Sequence, residues 1–532
     1  MTMLRIAVVL AVALFGQAAQ ALPVVEKTLT LGNNTAGIAT EPSSGQLYVT
    51  NFDDGTVSIV DMRTLTVLST EQVGSNPRRI AVDAAHRRGW LVRSTTPGWL
   101  FTGHTSGGDD IPAIAVGDNP RTLGSNFPMG RVYVANVDSK TVSVVDATTS
   151  KVVATLAVGG GAGAPVSNFR LKKAYVPNSA DGTVSVIDET ALTVKTIAVG
   201  AGPQYAAVDG MHAKVYVNNV TDKTISVIDS TTDTVIKTIP SGAGTTANFG
   251  VVSPVYRRYY LPNQLDNTLT IVDTDTDTVI RTLAVGTSPR DVLPEAVGGD
   301  VYVVNQGSNS VSVVNAATET VVGSFAVGGS PWRMIDGLGH LFVLNGNGNA
   351  PDSLTIATEN NSIRNTAVAT EFYHKAFDHY FHTADEVETR LLLDGLFRDD
   401  WLRSFQFFRV WTAPGTGRMP VSRFFSTQWS PKSSHFYTAN QDERNKLVSG
   451  AIPGWQLEAD AVYYIVLADG NGNCPAGAVA LYRMYNDGQG GAPNHRLTTD
   501  RATRDALRAQ GWTPEGQGPD AVYGCVPSLT GG

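Results

Sequence analysis

Three features of the sequence predict an all-β fold built as a ring of repeated four-stranded sheets. The first is a unit seen most clearly at residues 215–239, V-Y-V-N-N-V-T-D-K-T-I-S-V-I-D-S-T-T-D-T-V-I-K-T-I. Short runs of alternating and β-branched residues in it are separated by Asn/Asp/Thr/Lys turn clusters. The second is its recurrence: related units begin at Tyr48, Trp90, Tyr133, Tyr175, Tyr216, Tyr260, Tyr302 and Phe342, spaced by 40 to 44 residues. That period, with a further strand between units (79–82, 205–208 and 290–293), is the signature of a β-propeller blade. The third is that residues 24–31 resemble the outer strand of a unit, as at 278–283, while the last unit stops after its third strand at 354–358. One strand from each end completes a blade and removes two sheet edges. The prediction is an eight-bladed β-propeller closed by the N-terminal strand, followed by a small β-rich α+β domain with a pseudo-threefold repeat. The second unit is degenerate, with Trp90 in place of the tyrosine and residues 98–108 in place of a regular turn and strand, so seven blades is the alternative.

In chain order, residues 1–21 read as a signal peptide. Arg5 supplies positive charge, residues 6–15 are apolar, and Ala19-Gln20-Ala21 is a small-x-small cleavage site. The apolar run is too short to span a bilayer. The expectation is a periplasmic or extracellular protein with no membrane insertion once the segment is removed. The propeller then occupies 22–358, a polar linker 359–370, and the second domain 371–527. A net charge of -8 over 532 residues, with sparse interleaving of aromatic and basic residues, counts against a nucleic-acid partner. The two cysteines, Cys474 and Cys525, are expected to pair in an oxidising compartment.

Tyr48-Val49-Thr50-Asn51, and the variants at Tyr133–Asn136, Tyr175–Asn178, Tyr216–Asn219 and Tyr302–Asn305, resemble the YVTN family of propeller repeats found in exported bacterial and archaeal surface proteins. The resemblance covers roughly 23–358 and implies the fold. It implies no single function, because propellers host binding proteins, scaffolds and enzymes. Better-known members of that family have seven blades.

Loops leading into the inner strands read Gly74-Ser75-Asn76-Pro77-Arg78, Gly117-Asp118-Asn119-Pro120-Arg121 and Gly286-Thr287-Ser288-Pro289-Arg290, with variants Pro203-Gln204 and Pro331-Trp332-Arg333. Inner strands surround the axis, so Arg78, Arg121, Gln204, Arg290, Trp332 and Arg333 are the candidate ligand-binding residues at one mouth of the channel. Guanidinium groups there suit carboxylate, phosphate or sugar hydroxyls; in the alternative, each arginine pairs with a local acid such as Asp118 or Asp291. Asn51, Asn136, Asn178, Asn219, Asn263, Asn305 and Asn345 either join that face or hold their own turns. Asp273-Thr274-Asp275-Thr276-Asp277 lacks the Gly and distal Glu of a calcium loop and reads as a repeat turn. The propeller histidines His86, His104, His212 and His340 are scattered, and the chain has no Gly-x-Ser-x-Gly, Cys-x-x-Cys-His or His-Glu-x-x-His motif. No catalytic residue, metal or cofactor is implied.

After residue 353 the composition turns aromatic and charged. Three weaker repeats carry His379-Tyr380-Phe381-His382-Thr383, His435-Phe436-Tyr437-Thr438 and His495-Arg496-Leu497-Thr498, two of them followed by Gly-Trp at 454–455 and 511–512. This region resembles a secreted bacterial repeat family with His-x-Tyr-Thr and Gly-Trp-x-x-Glu motifs and no assigned function. His379, His435 and His495 either meet as a metal site or anchor their own units, and His374, His379 and His382 read as a half-buried strand face. Trp401, Trp411, Trp429, Trp455 and Trp512 are either core residues or rings for stacking on sugars. The functional reading is an exported, non-catalytic binding or scaffold protein for an anionic polysaccharide or cell-surface glycan. The alternatives are a lactonase- or lyase-like enzyme acting on a small anion, and a single-stranded nucleic acid binder.

Overall fold

The computed structural model describes residues 22–104, 111–242, 249–295, 299–346, 351–358, 365–393, 401–430 and 432–528. The expected signal segment, 1–21, lies outside them.

Eight four-stranded antiparallel sheets form a closed ring. Blade 1 spans residues 35–72, blade 2 77–116, blade 3 120–157, blade 4 166–198, blade 5 203–240, blade 6 251–284 and blade 7 289–326. Blade 8 takes three strands from 331–358 and its outermost strand, Val24–Thr30, from the start of the chain. That strand runs antiparallel to Ser353–Thr358, with Val24 opposite Thr358 and Thr30 opposite Ser353. Blade 2 is regular, with Gly98–His104 and Ile111–Val116 as its outer strands, so the degenerate sequence costs no blade.

The cores lie between blades. One joins Leu47, Val49 and Val60 of blade 1 to Phe342, Leu344 and Ile356 of blade 8, and equivalent clusters fill the other seven junctions. Each central strand is therefore covered on both faces, which explains unbroken runs such as Tyr216-Val217 and Ile225 to Ile228 where a one-sided sheet would alternate.

The seven asparagines of the repeat are fully buried. Each donates through Nδ2 to two hydroxyls on the next strand, five and seven residues on (eight and ten for Asn345), at 2.8–3.3 Å. They neither face the mouth nor tie their own turns; they bolt two strands together, which is why Thr-x-Ser recurs opposite them. The glycine of the preceding Val-Gly packs on the same carboxamide. A Cβ on Gly200 would come within 2.7 Å of Asn219 Nδ2. In blade 2 Arg93 takes the asparagine position and donates from Nε to Ser75 O at 2.9 Å.

Asp273 Oδ1 accepts the N–H groups of Asp275 and Thr276, at 3.1 and 2.9 Å. Asp61, Asp146, Asp188 and Asp229 make the same turn, so the acidic run at 273–277 is a repeat turn. Asp277 and Asp233 instead latch neighbouring blades, meeting Lys214 Nζ and Lys173 Nζ at 2.8 Å each.

The second domain begins with the strand Thr366–His374, inside the stretch expected to be linker, and forms one sheet system with three short helices. The strands His379–Thr383, Ser434–Thr438 and His495–Thr498 pack on one another, and each leads into a helix: Glu386–Leu393, Gln441–Val448 and Arg501–Ala509. This is the expected threefold pattern. Cys474 and Cys525 form a disulfide, with Cα atoms 5.5 Å apart. The domain docks where inner strands end. Leu338 N, in the first turn of blade 8, donates to the Glu386 carboxylate at 3.1–3.2 Å, and Arg409 reaches Tyr256 in the corresponding turn of blade 6. Those turns lie on the face opposite the loops that lead into the inner strands. Among the described residues no helix is long and apolar enough to cross a membrane.

Candidate functional site

Six of the eight inner strands start with a β-bulge. Register slips by one residue after Thr35, Pro77, Pro120, Pro203, Pro289 and Pro331. The proline cannot extend the ladder, and the residue behind it is the extra one, re-aimed by the local twist. Two tiers follow. The upper holds Arg78, Arg121, Gln204, Arg290 and Trp332. The lower holds the next residue in each blade: Arg79, Thr122, Tyr205, Asp291 and Arg333.

A cavity of about 900 Å³ opens on this mouth. Arg78, Arg79, Arg121, Thr122, Arg290 and Trp332 line it, together with Gln306 and the loops around Asn34 and Asp352. Four of the six residues predicted from the sequence thus come together. Gln204 does not border the cavity. Arg333 was expected beside Arg78; register places Trp332 there and Arg333 one tier down, where it meets Asp291 Oδ1 at 3.4 Å. The arginines come from blades 2, 3, 7 and 8, so they form an arc rather than a ring.

Their partners set the electrostatics. Arg290 Nη1 donates to the neutral Gln306 Oε1 at 3.1 Å, and the Arg78 guanidinium lies 4.6 Å from the Phe52 ring centroid. Among the described residues no carboxylate lies within 4 Å of Arg78, Arg79 or Arg121. Asp118, offered as a local acid, makes no such pair. Asp352 is buried and accepts from Thr35 N and Oγ1 at 2.6 and 2.8 Å, so it is engaged within the wall. Burial and the neighbouring Arg333 charge pull the Arg79 pKa down to about 10, and burial and Arg121 lower that of Arg78. Asp291 is raised by burial, against the pull of Arg333.

The lower tier was not legible as a site. Phe249, just ahead of blade 6, lies 4.2 Å from the Tyr205 ring and is capped by Arg333 at 4.2 Å and Arg79 at 5.1 Å. The available signal was the second residue after each proline, which alternation alone would have turned away from the first.

Comparison with known proteins adds little to this picture. Residues 367–522 match DUF5648, a domain of unknown function. No curated protein matches the chain. The solved Kuenenia stuttgartiensis Hydrazine Synthase is similar at 17% identity over 62% of this chain and 96% of that chain, with a TM-score of 0.43. That level of likeness carries no functional argument.

Within the DUF5648 domain the repeats interlock through charge. Arg423 of the second repeat pairs with Glu388 on the first helix and with Glu458, each at 2.9 Å. Arg483 of the third pairs with Glu443 on the second helix and with Glu515, each at 2.8 Å. In the first repeat the sign is exchanged: Glu371 stands where the others have arginine, and Arg496 of the third repeat meets it at 2.9 Å. The histidines do not converge as a trio. His435 N donates to His379 Nε2 at 2.9 Å, linking two repeats, while His495 stacks on Tyr485 at 4.7 Å. His374 stacks on Phe377 at 3.9 Å. The tryptophans are half-buried and pack on neighbours: Trp401 on His379, Trp455 on Trp429 and Phe436, Trp512 on Tyr380, and Trp411 beneath Arg418.

Burial depresses the pKa of His379, His382, His435 and His495. The sign follows directly: the unfolded chain takes up protons near pH 6.5 while the folded domain does not, so stability is present above that pH and is lost as pH falls through it. His379, His382 and His495 should each contribute a loss of about 1 kcal/mol by pH 5.5. Melting followed by tryptophan fluorescence between pH 7.5 and 5.5 should show this domain falling first, since it holds five of the eight tryptophans. A flat profile would mean that these histidines titrate normally.

Proposed function

We propose that the protein is an exported, non-catalytic binding protein whose YVTN-like propeller holds an anionic ligand in the arginine-lined mouth, with the DUF5648 domain as an accessory module. An acidic polysaccharide or cell-surface glycan is the partner class. One observation carries the reading: Arg78, Arg79 and Arg121 line a large cavity, and among the described residues no carboxylate, including Asp53 and Asp352 of the same lining, lies within 4 Å of them. Like charges crowded in this way repel unless an anion intervenes, and a guanidinium fork is matched to carboxylate geometry. The disulfide and the signal-like N-terminal sequence support the exported setting.

Calorimetric titration with oligogalacturonates tests it. The double variant Arg78→Glu/Arg121→Glu should weaken binding by about 100-fold or more, because two charge-assisted contacts become repulsive. Lys27→Glu and Lys151→Glu, on exposed outer strands, should leave it unchanged. Affinity should also fall with salt, screened over about 8 Å at physiological ionic strength. Binding by the double variant within about threefold of the native protein would refute the assignment.

A further inference from the structure

Arg79 supplies the floor of the cavity and is backed by residues from opposite sides of the ring. In an eight-membered ring blades 2 and 6 face each other across the axis. Arg79 belongs to blade 2 and Phe249 precedes blade 6, yet the Arg79 guanidinium carbon lies 5.1 Å from the Phe249 ring centroid. Arg333 of blade 8 covers the same ring at 4.2 Å, and Tyr205 of blade 5 packs against it with centroids 4.2 Å apart. Residues from four blades thus meet on one phenyl ring, directly behind Arg79 of the arginine-lined cavity. The walls above are the guanidinium groups of Arg78, Arg121 and Arg290 and the indole of Trp332. The floor is not inert: Arg79 borders the cavity, stacks on Phe249, and has no hydrogen-bond or ion-pair partner among the described residues.

We infer that this cup takes an acidic glycan by its end, a terminal uronate residue entering the cavity with its carboxylate toward Arg79 and Arg78 and its ring beside Trp332. The inference rests on the anionic reading above and narrows it. A through-channel would thread a chain, and a flat basic patch would bind one along its length, gaining affinity with every added charge. A cavity of about 900 Å³ backed by Arg79 and the Phe249 cluster, within the range of small-ligand pockets, instead admits only the last residues of a chain. An indole wall offers an apolar face to a pyranose ring, while the arginines fix the carboxylate bidentately.

The test is a length series. Titration with di-, tri- and hexagalacturonate and with polygalacturonate, each expressed per chain, should give dissociation constants within about threefold of one another and one bound chain per protein. Oligomers whose terminal carboxylate is reduced to the alcohol should bind about tenfold or more weaker at equal length. Arg79→Gln should lose about tenfold for the acid-terminated oligomers, and Arg79→Lys should recover part of it. Arg79 makes no ion pair to lose but stacks on Phe249, so melting temperatures are measured alongside; a variant that melts early is replaced by Thr122→Glu, which sets a negative charge in the same wall. Affinity that climbs steadily with chain length, with no penalty for the reduced end, would overturn end-on capture and leave the anionic reading standing. Failure of every acidic oligomer and polymer to bind would overturn both.

Discussion

Deleting residues 22–31 is expected to lower the melting temperature of the propeller by about 7 °C. The strand Val24–Thr30 is the outer quarter of blade 8, and its partner Ser353–Thr358 would be left as an open edge. Three leucines, Leu22, Leu29 and Leu31, go with it. Leu31 is buried in the core shared by blades 8 and 1, and Leu22 packs against blade 7, its side chain 2.9 Å from where a Cβ on Gly323 would stand. Burying a leucine is worth about 1.5–3 kcal/mol, and the lost ladder adds to that, so about 5 kcal/mol is at stake. The ring makes the effect global, because blades 8 and 1 hold each other through that core. Scanning calorimetry of the full chain with and without the segment measures it; a transition unmoved by more than about 2 °C would show that closure contributes little.

The second large effect is expected at Arg483. Its side chain is 4% exposed and holds Glu443 and Glu515 at 2.8 Å, with Nη1 donating to Tyr437 O at 3.3 Å and the guanidinium over Tyr523 at 4.2 Å. Arg483→Ala strands two half-buried carboxylates and a buried carbonyl, so a loss of about 3–5 kcal/mol is expected. Arg483→Lys should recover little, since one ammonium cannot reach both acids and stack. The control is Arg444→Ala, which removes an exposed pair with Asp460 and should change stability by less than about 1 kcal/mol. Denaturant unfolding of the three variants separates the cases; equal losses at Arg444 and Arg483 would refute the argument.

The blades were legible in the sequence because each unit repeats its strands and turns at a fixed period. Closure was legible for the same reason, since residues 24–31 match an outer strand that the last unit lacks. What could not be read was backbone register. Arg78 and Arg79 both follow Pro77, and only the bulge decides that one lines the rim and the other the floor. The same slip moved Trp332 to the rim and Arg333 below it. Phe249 carried no signal at all, because its meaning comes from a residue about 170 positions earlier on the facing blade. In the second domain the triplication was legible, but the role of Glu371, where the other repeats have arginine, is set only by Arg496 opposite it. The histidines were misleading in the other direction: strand register sets Tyr380, not His379, opposite Tyr373 where His435 faces Phe425 and His495 faces Tyr485, so the three are not equivalent and share no centre.

The pairing of Val24 with Thr358 has a bearing on how the molecule presents itself. The chain enters the propeller and leaves it side by side, on the face that carries the DUF5648 domain, while the arginine cup opens on the other. The two ends behave like the stem of a goblet. A tether attached at either end would therefore leave the arginine-lined mouth facing away from it.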